Sequence, residues 1–496
     1  MTRFLFRPRG LSVLLACAAA LHAQGQTGEL AAAYKAGLER FRLLADFGAP
    51  GPARVSAGLS AADAGPREPY TLADLRFLMR RGNPAAAAAS AALRAAEGDL
   101  SGARGARLPA LSASIQGAYL GNPQDAIVIP TGTFSIVPLI PASDVPIFPA
   151  VDPAQYSFKL TGTQPLFTWG RINAGVRSAQ AGVDAARLGL AKTEHENDIR
   201  LQADYEALCY LAEAESALAL ERRAGARLAA LAEQNRKSGF LTDAEYLDVR
   251  IKVKAVDLAL AAMVERRERI LAELAALTGI QGLRLDQLSL EPPPAGGPVL
   301  PEAAAEAVAL EGSYDLALAA ALVELKDRLF SLARVQARAL PDLGLSVELS
   351  YSGSRVPFLE KNWDDKGDYQ VILGLGASGR LLGDAVKAGA LSRAEAELEQ
   401  ARAQREEAER RIRSLVRQTY LGIDLARTRI EYALLKQESW TANLDQQDTI
   451  LGLGAGSESD YLSLLMEALG GLAEAYGILA EYRGALLTLE AIAGRR

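Results

Sequence analysis

The stretch from Arg171 to Lys237, RINAGVRSAQAGVDAARLGLAKTEHENDIRLQADYEALCYLAEAESALALERRAGARLAALAEQNRK, contains no proline. At its start Ile172, Val176, Ala179, Val183, Ala186 and Leu190 recur at alternating spacings of four and three, which lays them along one stripe of a helix. That stripe predicts a coiled-coil seam. A helix of this extent is about 100 Å long at ~1.5 Å per residue, several times the diameter of a small globular domain. No compact enzyme core needs one. Further along, Leu391, Ala394, Leu398, Ala401, Ala408, Ile412 and Leu415 keep the same rhythm, with Arg405 intruding once. The alanines in both seams let neighbouring helices approach closely.

The second seam belongs to an internal repeat. Tyr205, Tyr246 and Gly279 recur as Tyr420, Tyr461 and Gly494, each displaced by 215 residues (420−205, 461−246, 494−279). Upstream the displacement grows: Leu108-Pro109 matches Leu340-Pro341 at 232 and Gly82 matches Gly312 at 230. The extra residues fall in Gly121–Gln155, rich in Pro, Thr and Ser, against a shorter counterpart at Ser352–Asp368. This is the mark of a variable loop at equivalent places in two halves. Gly239 and Gly454 interrupt the long helices, and a second helix follows in each half to Gly279 and Gly494, as antiparallel hairpins require.

Between the leading helix and the long helix of each half the period changes to two. Leu343, Leu345, Val347, Leu349 and Tyr351 alternate with Gly344, Ser346, Glu348, Ser350 and Ser352. Tyr369, Val371, Leu373, Leu375 and Ala377 follow the same pattern, as do Tyr156, Phe158 and Leu160, and more weakly Leu111 to Tyr119. About ten residues suit a tilted strand crossing a bilayer. Tyr119, Tyr156, Tyr351 and Tyr369 fall at the loop side of their hairpins, where an interfacial aromatic girdle belongs, and Phe167 and Trp169 suit the opposite rim. Alternation alone also fits a soluble sandwich sheet. The flanking helices, however, run far beyond any sheet they could cover, and four strands cannot close a barrel alone.

Composition narrows the function. Among 496 residues the net charge is −6 and the pI about 5.4, which gives no basic field to draw nucleic acid. His22 and His195 have no Cys or His partner at ligand spacing, so no zinc site is expected. Arg3, Arg7 and Arg9 before the apolar run Leu11–Leu21 read as a secretory signal, with cleavage after Ala23 leaving Gln24 first. Leu14-Leu15-Ala16-Cys17 also resembles a lipobox, which makes Cys17 a lipidation candidate. Beyond this segment no stretch reads as a spanning helix, so a membrane crossing is expected as strands. The acids lie scattered among arginines, as in Glu406-Glu407-Ala408-Glu409-Arg410-Arg411, which is a solvated helical face rather than paired acid-base chemistry. Gly374-Leu375-Gly376-Ala377-Ser378-Gly379 has the spacing of a dinucleotide fingerprint, but no crossover helix and returning parallel strand follow.

Two halves with Leu-Pro before each strand pair, the junction Gln164-Pro165-Leu166-Phe167-Thr168-Trp169-Gly170 into a long helix, Asn83-Pro84 early on and a Gly-containing turn near each far end resemble the TolC-like outer-membrane efflux family. The resemblance covers Tyr70 to Gly494 and rests on architecture. It implies a mainly α fold with a β-barrel portion: a homotrimer whose three sets of four strands make a twelve-stranded barrel in outer-membrane lipid, continuing into a helical tunnel across the periplasm. It implies a passive exit duct of a tripartite efflux or type I secretion system, without cofactor or catalysis. The implied partners are a periplasmic adaptor and an inner-membrane pump of RND, ABC or MFS type. The chain then divides into a signal peptide (1–23), an unassigned segment (24–69), a first repeat (70–280; strands about 110–120 and 156–167, helices 171–238 and 243–279), a linker (281–301) and a second repeat (302–496; strands about 343–352 and 369–378, helices 384–452 and 458–493). Both variable loops would face the exterior, and the linker would cross the outside of the helical barrel at mid-height.

The same resemblance assigns roles at the far ends. Gly239-Phe240-Leu241-Thr242 and Gly454-Ala455-Gly456-Ser457 match turns presented to the adaptor, and Asp460 matches the first of the acids that line the closed entrance. Ser463 stands where a second acid is common, and Leu451 and Gly456 stand where a Tyr and an Arg latch the entrance in some members. Gating must therefore use other contacts here. Read without the resemblance, Asp460 is an ordinary first-turn acid favoured by the helix dipole, and the glycines simply end helices. The alternative function, a periplasmic coiled-coil adaptor or scaffold, explains the helices but leaves the strand pairs without the partners a compact β domain needs.

Overall fold

The computed structural model describes residues 26–47, 69–133, 141, 143–148, 150–296, 299–338, 340–356, 359, 361, 369–378, 385–453 and 455–494. The expected signal segment with Cys17, the loop stretches 134–140 and 362–368, Gly379 and Gly454 lie outside the described residues. In chain order the elements are α1 (Gln26–Leu44), α2 (Leu72–Gly82), α3 (Pro84–Gly105), β1 (Ala110–Tyr119), β2 (Ile127–Ile129), β3 (Val145–Phe148), β4 (Ala154–Phe167), α4 (Arg171–Lys237) and α5 (Asp243–Thr278). After the linker come α6 (Glu302–Gly312), α7 (Tyr314–Ala337), β5 (Asp342–Gly353), β6 (Tyr369–Ser378), α8 (Ala385–Gly452) and α9 (Glu458–Ala493). The fold is mainly helical with a small sheet, in two compact units: residues 1–92, 187–319 and 404–496, and residues 93–186 and 320–403.

Local chemistry sets the helix ends. At the start of α2 the Thr71 hydroxyl accepts from Asp74 N–H at 3.3 Å while the Asp74 carboxylate accepts from Thr71 N–H at 2.9 Å. Thr242 and Glu245 repeat this reciprocal cap on α5. At the opposite ends Gly279 and Gly494 take φ of +78° and +68°. A Cβ at Gly494 would also overlap the Gly312 carbonyl, so this position requires glycine for close approach as well as for conformation. The paired helices have matching lengths, 67 and 68 residues for α4 and α8 and 36 each for α5 and α9.

In the first unit the largest core gathers Tyr34, Leu38 and Phe41 of α1, Tyr210 and Leu218 of α4, Ile423 and Ile430 of α8, and Leu465, Leu469, Tyr476 and Leu479 of α9. The α9 helix corrects the sequence reading, because by length and composition it is apolar enough to cross a membrane. Most of its apolar window is buried inside the protein, which explains the composition as that of a core helix. The unassigned N-terminal segment contributes α1 to this core. Tyr34 donates to Gln437 Oε1 at 2.7 Å, Tyr476 donates to the Gly37 carbonyl at 2.9 Å, and Phe41 meets Tyr476 edge to face at 5.6 Å.

Phenols also tie down the linker. Tyr205 donates to the Ser289 carbonyl, Tyr210 to Pro293 and Tyr420 to Leu300. Thus two tyrosines 215 residues apart hold the same connecting segment (420−205). An ion pair lies buried in this unit: the Arg483 guanidinium grips Glu206 through two bonds of 3.0 Å, and Gln202 donates to the same carboxylate at 2.8 Å.

In the second unit β1, β4, β5 and β6 form one antiparallel sheet in that order, open at both ends. The expected barrel is not closed by the described strands of this chain, since β1 pairs only with β4 and β6 only with β5. Beyond β1 the first hairpin continues outward. Leu120 N–H donates to Pro153 and Val151 N–H to Gln124, after which β2 pairs with β3.

Candidate functional site

The sheet is the first candidate. Residues directly opposite in an antiparallel pair point to the same face, so the register reads off each face row by row. One row is Ile115, Phe158, Tyr351 and Tyr369; the next is Ala113, Leu160, Leu349 and Val371; the third is Leu111, Gly162, Val347 and Leu373. Leu345 and Leu375 extend the belt toward Leu343 and Ala377. The opposite face carries Ser112, Thr161, Glu348 and Ile372, then Ser114, Lys159, Ser350 and Gln370, with Lys159 and Glu348 ion-paired at 2.8 Å. One face is therefore apolar from edge to edge and the other polar except at Ile372 on β6. Much of the apolar belt is bare: Leu111, Ile115, Val371, Leu373 and Leu375 are each 65% or more exposed.

The tyrosines named from the sequence all sit toward the loop end of this sheet, at three levels: Tyr351 opposite Tyr369, Tyr156 opposite Gly117 and Tyr119 opposite Ala154. Tyr119 and Tyr369 are exposed and Tyr156 is half-buried. Tyr351 is only 2% exposed and donates to the Arg355 carbonyl at 2.8 Å. The Gly374 to Ser378 string lies on an antiparallel strand, with Gly374 packed against Ser346, so no nucleotide cradle is built from it.

The strand-to-helix corner is the second candidate. Trp169 has a φ of +52°, a left-handed conformation unusual for a bulky residue, and Gly170 follows at +85°. The Trp169 indole holds the turn by donating to the Pro341 carbonyl at 2.9 Å and by packing edge-on to Phe167 at 4.8 Å. Arg171 pairs with Asp342 at the same corner. A cavity of 220 Å³ opens there, lined by Thr168, Trp169, Arg171, Gln336, Arg338, Asp342, Ser378 and Lys387, with Val335 and Leu340 completing the wall.

The far ends of the helices are the third candidate. After α4, Gly239 N–H donates to Arg236 and Phe240 N–H to Asn235, a Schellman closure around left-handed Gly239. This presents Phe240 84% exposed, with Leu241 half-buried before the capped Thr242. Arg236 braces the turn by pairing with Asp243 at 3.1 Å and lying over the Tyr246 ring at 4.8 Å. Hydrogen bonds from Tyr246 and Lys237 bring the Glu233 carboxyl down to about 2. In the second turn Ala455 N–H donates to Ile450, and Gly456 packs against Leu451 so closely that a Cβ would crowd its backbone. Ser457 precedes α9, its hydroxyl 2.6 Å from that of Ser459.

Asp460 is exposed and Ser463 half-buried, one helical turn apart, whereas Leu451 packs against the large core. Sequence reasoning missed a second ion pair between α9 and α4: Arg227 binds Glu458 in bidentate fashion, at 2.9 and 3.3 Å. A bond across 231 positions leaves no local signature. It also missed the projecting β2–β3 ribbon, although its near absence of charge was visible in the letters. Two further stripes are bare, Leu247, Ile251 and Leu258 on α5 and Leu421, Leu425, Tyr432 and Leu435 on α8. Among the described residues no group of three or more His, Cys, Asp or Glu is placed to hold a metal ion.

Comparison with known proteins agrees with this geometry. Residues 78–280 match the profile of the family described as Outer membrane efflux protein. No curated protein matches the chain by sequence. Among solved structures, the chain is similar to the Campylobacter jejuni CmeC outer membrane channel, at 15% identity and TM-score 0.67 over 85% of each chain. It is also similar to the Vibrio cholerae outer membrane protein VceC, at 18% identity and TM-score 0.66 over 85% of this chain and 96% of that one. The open state of the Neisseria gonorrhoeae MtrE outer membrane channel matches at 14% identity and TM-score 0.63, over 85% and 89%. The chain thus resembles the TolC-like outer-membrane efflux family in its profile match over residues 78–280 and in its fold.

Proposed function

We propose that this chain is one of three identical subunits of a passive exit duct that spans the outer membrane and the periplasm, and that it catalyses no reaction. The observation that carries the reading is the open sheet: an apolar belt on one face, a polar opposite face and two unpaired edges. Backbone groups on an open edge are not tolerated in lipid, so β1 of one copy pairs with β6 of the next until the wall closes. Twelve strands make a barrel whose polar faces line a lumen. The bare stripes on α5 and α8 support the same assembly, because a seam without a partner in its own chain suits a neighbouring copy.

The two repeats supply equivalent hairpins to a helical tunnel, whose tips at Gly239–Thr242 and Gly454–Ser457 meet a periplasmic adaptor. An inner-membrane pump of a tripartite efflux or type I secretion system supplies the energy. The entrance is lined by Asp460, with Ser463 and Leu451 beside it, and Arg227–Glu458 holds it in place of the Tyr and Arg latch. The membrane-interface rings are Tyr119, Tyr156, Tyr351 and Tyr369 on one side and Phe167 and Trp169 on the other. A scaffold or adaptor role is disfavoured by the bare apolar belt.

The test is extraction and conductance. A duct stays with the outer-membrane fraction, runs as a heat-sensitive trimer in detergent, and passes ions across a planar bilayer, with currents that Asp460→Ala enlarges. A detergent-free, well-behaved monomer would overturn the proposal. Unchanged Asp460→Ala currents would remove that residue from the entrance while leaving the duct standing.

A further inference from the structure

The cavity at the strand-to-helix corner has a chemistry that the duct function does not use. Among the described residues its wall carries Arg171, Arg338 and Lys387 together with one acid, Asp342. Asp342 is paired with Arg171, so its charge is already offset. Arg338 is exposed and has no carboxylate partner among the described residues. Neutral donors line the same space: the hydroxyls of Thr168 and Ser378 and the carboxamide of Gln336.

Excess positive charge with hydroxyl and amide donors is the donor set that recognises phosphate, and guanidinium is its best-matched member. The volume of 220 Å³ is roughly seven times the ~30 Å³ share of a liquid water molecule, enough for a phosphate group with part of its ester. Position argues the same way. The Asp342–Ser378 pair ends the β5–β6 ladder, so the cavity lies where the apolar belt stops, and Trp169, Val335 and Leu340 give it an apolar side.

We propose that this corner binds an anionic phosphate group. Its source is either a phospholipid headgroup of the surrounding leaflet or a phosphate-bearing solute, a choice that rests on the duct reading, whereas the binding itself does not.

Isothermal titration of the purified full chain in a nonionic detergent tests this with three probes: dihexanoyl-phosphatidylglycerol, dihexanoyl-phosphatidylcholine and inorganic phosphate. Phosphatidylglycerol is expected to bind more tightly than phosphatidylcholine, whose phosphate is internally neutralised. Arg338→Gln with Lys387→Gln should weaken that binding about tenfold or more, the scale of losing a hydrogen bond to a charged group. Arg334→Gln should bind as the wild type does, because Arg334 stacks on Phe330 and does not line the cavity. If inorganic phosphate also binds and is lost in the double variant, the site serves soluble phosphates; if only the lipid does, it serves the leaflet. Equal binding of the two lipids with none of inorganic phosphate, or a double variant indistinguishable from wild type, overturns the assignment. Should the double variant fail to fold, Arg338→Gln alone must show the loss. Planar-bilayer conductance, measured in parallel, reports on the duct separately: a wild type that binds phosphate but passes no current would fail the duct and keep the site.

Discussion

Replacing Leu373 by arginine is the sharpest probe of the proposed membrane-spanning wall. Leu373 is 72% exposed on β6 and shares a row with Val347, Gly162 and Leu111, midway along the apolar rows between Tyr369 and Ala377. The belt spans eight residue steps (377−369), about 26 Å along the strand at ~3.3 Å per residue, so Leu373 falls near the bilayer midplane. An arginine at that depth of a barrel wall costs roughly 2–4 kcal/mol, and a trimer holds three copies, so assembly loses on the order of 6–12 kcal/mol. The matched control is Gln370→Arg, three residues away on the polar face, which should cost well under 1 kcal/mol. Both variants can be folded into lipid vesicles and scored by heat-sensitive trimer on unheated gels against urea concentration. Leu373→Arg should lose most of its trimer where Gln370→Arg keeps it. Equal tolerance of the two would mean that the bare belt does not face lipid, and the reasoning from row to bilayer would fail.

The Glu206–Arg483 pair is 5% and 8% exposed, so Glu206→Gln strands a buried guanidinium and should destabilise by about 3–5 kcal/mol. Glu206→Leu combined with Arg483→Met should recover most of that loss, and a double-mutant cycle by thermal unfolding that returns simple additivity would refute the coupling. Glu221 packs against Gly470, and burial raises its carboxyl to about 7. Its folded value lies above its unfolded one, so the native state binds the extra proton and stability declines as pH rises from ~4.5 to ~7. Glu221→Gln should therefore leave stability unchanged at pH 4 and raise it by roughly 1 kcal/mol at pH 8 after allowance for solvent screening; a gain equal at both pH values would contradict this. A Cβ at Gly471 would overlap the Trp440 ring, so Gly471→Ala should lower stability by about 1–3 kcal/mol, and Trp440→Leu in the same chain should restore part of it. A Gly471→Ala melt matching wild type would show that the ring moves freely.

Most of the secondary structure was legible because its signals are local. An unbroken run from Arg171 to Lys237 and strict alternation at Leu343–Tyr351 each impose one period, and burial in the finished fold follows it at Val183, Leu398 and Ile412. Leu415, on the same seam, is exposed, because a seam position is buried only where a partner helix reaches it. The reading failed where long-range packing decides. The composition of α9 is that of a membrane span, yet α1, α4 and α8 enclose it. The role of α1 itself was invisible, since the partners of Tyr34 and Tyr476 lie more than 400 positions away along the chain. The Arg227–Glu458 bond and the phosphate-matched corner share that character. Each unites residues whose neighbours in sequence have nothing in common.

The unpaired rims of β1 and β6 carry a consequence for inheritance rather than for chemistry. In the proposed ring each polypeptide clasps two others through its two rims, so one faulty rim opens one seam and disables a whole assembly. A cell making sound and damaged copies in equal amounts would build wholly sound rings only about one time in eight, since three draws must all succeed. Damage at either rim should behave as a dominant trait, whereas damage confined to a buried core should merely remove its own copy from the pool.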